Sequence, residues 1–241
     1  MSKIFAIYPT DNQQSTKFLN KINTYLKRNL NENWHCYKVK FTDLDHKRSV
    51  EESLKFSTKF ILFMGHGRSD TLYGSCANES NDFVSSEAME SNFQFYKNER
   101  FITSANIELF KNKIFFSFSC NSNVNNSKAL GRIAIDKGIL AFVGFGDIPT
   151  DYNKDVNFSK KGIEIFKGLI TKIIKESLFF SVENNYSVEK LVDLIKLLTL
   201  KEIQILILSK NCYRNKNEIV KNLYLFKNEI VIFGNRFEKI I

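Results

Sequence analysis

At 241 residues, with 43% hydrophobic and 25% charged side chains, the chain has the length and apolar content of a single large globular domain, residues 1–241. Its net charge of +9 raises nucleic-acid binding, but the lysines are scattered and accompany abundant Asn, Ile and Phe, the joint mark of an AT-rich coding sequence rather than of a phosphate-binding patch. No apolar run approaches the ~20 residues of a membrane span, and MSKIFAIYP is too short an apolar start for a signal peptide, so a cytoplasmic protein with no membrane partner is expected.

The first half alternates strand and helix patterns. KIFAIYP (3–9) is an apolar run of strand formers closed by Pro9, and Phe18, Leu19, Ile22, Tyr25 and Leu26 then recur at helical spacing. CYKVKF (36–41) alternates as a strand does, and a short helix is expected over 47–57. FILFMG (60–65) is too continuously apolar for an exposed edge and reads as a central parallel strand. A weakly patterned, acidic stretch covers 75–103, a length of loop that compact domains reserve for function or regulation. A short helix near 104–110 precedes the strand KIFFSFSC (113–120). Ala129, Leu130, Ile133 and Ala134 share a helix face that Gly138 ends, and ILAFVGFG (139–146) is a third buried strand.

From 158 the pattern turns helical. Ile163, Phe166, Leu169, Ile170, Ile173 and Ile174 form one stripe; Ser187 is placed to N-cap a second helix carrying Leu191, Leu194, Ile195 and Leu198. LYLFKNEIVIFGN reads as two short strands around Lys227-Asn228, a hairpin or a late strand joining the sheet. The expected fold class is therefore α/β, with a mostly parallel central sheet flanked by helices and a helical C-terminal portion.

Ligands of open parallel sheets bind outside the carboxyl ends of the strands. Four strand ends carry residues of chemical interest: Asp11, His66, Cys120 and Asp147. A thiol needs a base to become a nucleophile near neutral pH, and an imidazole suits that task and the later return of a proton to a leaving amine. Singly, a cysteine after a buried strand is a small hydrophobe and a histidine between glycines is a turn residue. Jointly, each ending an apolar run, they make His66 and Cys120 a candidate dyad. Gly67 lets backbone approach a carbonyl, so the N–H groups of Gly67 and Cys120 are candidate oxyanion donors, and a helix following Cys120 would lower the thiol pKa.

Other chemistries fit less well. Cys36, Cys76, Cys120 and Cys212 show no CxxC pair, which argues against both a disulfide scaffold and a structural zinc site. Asn126 stands where a tyrosine-phosphatase loop needs arginine, SFSCNS lacks the glycines of a nucleophile elbow, and no phosphate-binding glycine motif occurs. All three histidines precede Cys120, the reverse of the order in papain-like peptidases and class I glutamine amidotransferases. Cys76, in an irregular segment ten positions after His66, is the weaker rival nucleophile.

FILFMGHG followed by IFFSFSC resembles the caspase-like cysteine peptidases, the group of caspases, gingipains, separases and CHAT domains, and bacterial CHAT domains most closely. GHGRSDTLYG, KALGRIAIDKGILAFVGFGDIPTD and EIVIFGNRFEKI resemble further stretches of that group, with residues 55–155 carrying most of the likeness. Two positions depart from it: Met64 replaces a small residue, and Asn235-Arg236 replace an Asp-Pro turn. The resemblance implies a caspase-like fold, His66 as general base, Cys120 as nucleophile, and Gly67 and Cys120 as oxyanion donors. It also implies a thioester mechanism needing neither metal nor cofactor, and a protein substrate encoded nearby, in a bacterial defence or cell-death system with a regulatory or sensor protein. An acidic pocket for Arg or Lys before the cut would draw on Asp147, Asp151 or Asp11, which as aspartates also serve commonly in turns and caps. The competing expectations are a catalytically silent caspase-like interaction module and, on charge alone, a nucleic-acid-binding α/β protein.

Overall fold

The computed structural model describes residues 4–10, 16–55, 57–75, 100–150, 158–209 and 215–241. In chain order the elements are β1 (Ile4–Pro9), a 3-10 turn (Lys17–Leu19), α1 (Asn20–Leu30), β2 (Trp34–Val39), α2 (Asp43–Lys55), β3 (Phe60–Met64), β4 (Gly67–Arg68), β5 (Thr71–Leu72) and β6 (Ile102–Thr103). After a 3-10 turn (Ile107–Phe110) come β7 (Ile114–Phe118), α3 (Leu130–Asp136), β8 (Ala141–Gly144), α4 (Lys160–Glu183), α5 (Val188–Leu208), α6 (Lys216–Asn228) and β9 (Val231–Gly234).

Six strands form one sheet in the order β2-β1-β3-β7-β8-β9, parallel throughout except for β9, which runs antiparallel to β8. The interior strands β1, β3, β7 and β8 are buried on both faces, which is why their sequences are continuous apolar runs. One face packs on α1 and the C-terminal helices, through Leu19, Ile22, Leu26, Phe166, Ile170 and Leu223; the other packs on α2 and α3, through Val50, Leu130 and Ala134. No helix among the described residues is long and apolar enough to cross a membrane. The α/β class, the parallel sheet and the helical C-terminal part match expectation.

Several boundaries are corrected. β2 begins at Trp34, whose indole N–H donates to Asn23 Oδ1 at 2.9 Å and anchors the strand to α1. α2 begins at Asp43, not 47, because the Thr42 hydroxyl accepts the Asp45 N–H at 3.2 Å and caps the first turn. LYLF is helical: Ile219, Leu223 and Phe226 are buried at helical spacing on α6, and only the run after Asn228 is a strand. Within 75–103, Ile102–Thr103 is a strand, paired with β5 by a tertiary ladder; residues 76–99 lie outside the described residues.

Candidate active site

The register of the central sheet positions the two dyad candidates. Met64 pairs with Phe118 at the carboxyl ends of β3 and β7, and His66 and Cys120 each follow two residues later. The Gly65 N–H donates to the Phe118 carbonyl at 3.4 Å, extending this attachment toward His66. Gly65 sits in a tight space: a Cβ there would lie 3.1 Å from the Phe63 ring, which would have to give slightly, and in ordinary contact with Pro9 at 3.5 Å. His66 and Cys120, both half-buried, line one narrow cavity of about 20 Å³, roughly the room of one water.

After His66 the chain turns into the β4–β5 hairpin. The Tyr73 N–H donates to the His66 carbonyl at 3.0 Å, and Gly67 pairs with Leu72 in the next register position. Hydrogen-bonded and non-hydrogen-bonded pairs alternate along an antiparallel ladder, so Gly67 occupies a non-hydrogen-bonded site and its N–H is directed away from β5. Its Cα side abuts the Cys120 turn: a Cβ on Gly67 would stand 2.8 Å from Ser119 Oγ and 3.0 Å from Leu72 Cδ2.

The turn that carries Cys120 is clipped to the end of β8. The buried Ser122 hydroxyl accepts the Phe145 N–H at 2.9 Å and reaches the Ser119 and Ser117 carbonyls at 3.0 and 3.2 Å. The N–H groups of Asn121 and Asn123 donate to Gly146 and Phe145 at 3.0 and 3.1 Å. Asn121 holds φ at 54°, a left-handed conformation that asparagine tolerates. Gly144 has no room for a side chain, since a Cβ would enter the Ser122 carbonyl. The Cys120 thiol donates to the Ile148 carbonyl at 3.5 Å, from the segment after β8. Thr16, Phe18, Leu19 and Thr150 complete the cavity wall; the Thr16 hydroxyl is buried there with no hydrogen-bond partner among the described residues.

The other histidines have structural work. The His46 ring donates from Nδ1 to the Thr42 carbonyl at 2.7 Å and accepts the Ser75 N–H at Nε2 at 2.8 Å, with its face against the Phe101 edge. Burial holds its pKa below the ordinary value. His35 stacks on Phe5 at 4.9 Å, and burial again lowers its pKa. Cys36 is pushed up to about 12 by burial, which keeps it a neutral thiol.

Asp147 follows β8 at the same sheet edge, but it is exposed and is not one of the described residues lining the cavity. Asp11, Asp151, Cys76 and Cys212 lie outside the described residues. The helix expected around Ala129–Ala134 is present as α3, but the expectation that its positive end would lower the Cys120 pKa is corrected: α3 starts ten positions on, at Leu130, and its first N–H is spent on the Ser69 carbonyl at 2.8 Å. Turn-forming Asn and Ser residues intervene, and their hydrogen bonds favour the clip over a helix. The contributions of Thr16, Ser119, Ser122 and Ile148 escaped sequence reading. The one available signal was the density of small residues in SFSCNS and GFG, which marks close backbone approach.

Comparison with protein-family models, with curated proteins and with solved structures finds no match to this chain in any of the three.

Proposed function

We propose that the chain is a cysteine endopeptidase of caspase-like, CHAT-type character, acting on a protein substrate through His66 and Cys120. The observation that carries the reading is the shared cavity: two residues from strand ends 54 positions apart line the same narrow space at the carboxyl edge of a parallel sheet. That the half-buried Cys36 is held a neutral thiol by desolvation, and that both ring nitrogens of His46 are engaged, favours this pair over the other described thiol and over His46.

The chemistry runs as acyl transfer. His66 takes the Cys120 thiol proton, and the thiolate attacks the scissile carbonyl carbon to give a tetrahedral oxyanion. The outward Gly67 N–H and the Cys120 N–H stabilise that charge. The imidazolium then gives its proton to the leaving amine, the C–N bond breaks, and a thioester remains. A water deprotonated by His66 attacks the thioester and releases the acid, returning the proton to sulfur. No metal or cofactor is needed for any step. In this reading Asp147 supplies a preference for Lys or Arg before the cut, and Asp147→Asn lowers turnover of such substrates selectively.

The test is labelling with an electrophilic peptide probe. Cys120 alone should be modified, and both His66→Ala and His66→Asn should slow labelling by at least about 100-fold while retaining the thermal unfolding midpoint. Equal modification of all four cysteines would instead identify a catalytically silent interaction module.

A further inference from the structure

A second cavity, of about 960 Å³, opens where α1 crosses the ends of β1 and β2 and meets α4. Five cations line it: Lys17, Lys21 and Arg28 from the 3-10 turn and α1, Lys38 from β2, and Lys175 from α4. No carboxylate lines it among the described residues, and none of the five has an ion-pair partner there. Five of the chain's 35 Lys and Arg side chains, spread from residue 17 to 175, are thus brought to one surface. Such a concave, single-sign surface focuses its field on an anionic partner.

The kind of anion follows from what the groove lacks. Single-stranded nucleic acid is held by phosphate contacts together with bases stacked on open aromatic faces. Tyr8 is buried, with its hydroxyl donated to the Thr16 carbonyl at 3.0 Å. The Tyr25 face carries the Lys175 ammonium at 4.6 Å, and Phe179 packs against it edge-on. Neither ring offers a stacking platform. Three neutral polar side chains are also engaged: Thr24 donates to the Asn20 carbonyl, Asn29 to the Tyr25 carbonyl and Thr10 to the Val39 carbonyl, while Asn20 Oδ1, an acceptor, is buried with no hydrogen-bond partner among the described residues. What remains is charge, suited to flexible carboxylates.

The groove adjoins the His66–Cys120 cavity. Thr16, Phe18 and Leu19 wall that cavity, while Lys17 and Asn20 of the same stretch wall the groove. We infer that the groove binds an acidic stretch of the protein substrate and leads it toward Cys120. The substrate role rests on the peptidase reading, whereas the binding of an acidic segment does not.

The test uses the full chain with Cys120→Ala and a fluorescein-labelled octaglutamate peptide, followed by fluorescence anisotropy at low salt, with an oligothymidylate of equal length in parallel. Octaglutamate should bind, weaken as salt is raised, and lose at least about tenfold in affinity in the Lys21→Glu/Arg28→Glu variant. Both positions are exposed on α1, and Lys38→Glu on β2 provides an independent variant of the same direction. Absence of octaglutamate binding, equal binding by the charge-reversed variants, or tighter binding of the oligothymidylate would overturn the inference. Failure of the unaltered chain to label at Cys120 would overturn the substrate role, while octaglutamate binding still decides the surface itself.

Discussion

His66 and Cys120 are separated by the same 54 residues as Met64 and Phe118, which face each other across the β3–β7 ladder. Each site residue therefore overshoots its strand by an equal length, and the parallel register brings both to one sheet edge. Sheet register, rather than local sequence, makes a pair of them.

Gly67 provides the sharpest test of the oxyanion assignment. Gly67→Ala places a methyl 2.8 Å from Ser119 Oγ, and Ser119 is itself held by Ser117 Oγ at 2.8 Å. Overpacking should cost about 1–3 kcal/mol of stability, read from the urea midpoint. Displacement of the N–H should lower kcat on a peptide substrate by at least about tenfold with a smaller change in KM. A stability loss with unchanged kcat would remove Gly67 from the oxyanion role.

Ser122 is not among the described residues lining the cavity, yet it holds the turn that carries Cys120. Ser122→Ala strands the buried Phe145 N–H and should cost about 1–3 kcal/mol. Because Ser122 also bridges to Ser119, the labelling rate of Cys120 should fall, with the pH profile of labelling unchanged. Unchanged stability would contradict the clip.

His46 and His35 predict acid sensitivity. Both have folded-state pKa values below the unfolded reference of 6.5, so the unfolded chain binds protons that the folded chain resists. Their contribution is complete above about pH 6.5 and is lost as pH falls, by at most about 1.4 kcal/mol per pH unit for each group. Urea midpoints measured from about pH 8 to 5 should decline, and His46→Gln should flatten the decline. A rising midpoint on acidification would refute the buried neutral state.

Phe226 ties the C-terminal helices to the site. Its ring stacks on Phe145 at 5.5 Å and meets Phe118 and Phe166 edge-on at 6.4 and 6.5 Å. Phe226→Ala should cost about 3–5 kcal/mol in denaturant unfolding. A loss under about 1 kcal/mol would show that α6 is not part of the same core.

Residue patterns alone determined the buried strands, because a strand covered on both faces is apolar at nearly every position, as FILFM is throughout and IFFSF is except at the hydrogen-bonded Ser117. They also determined the amphipathic helices and the serine cap at 187, since capping and periodicity are local; the matching cap at Ser159 is shown by the structure. The dyad candidates were legible as strand-end residues. Tertiary structure decided what local pattern does not encode. Two-residue strands such as β4 and β6 have no periodicity, and exist because a neighbour completes their hydrogen bonds. LYLF suits a strand by composition but is helical because one helical face fills the space beside Phe145. The Ser122 clip and the basic groove join residues far apart in the chain, from Thr10 to Lys175 in the groove, so only packing brings them together.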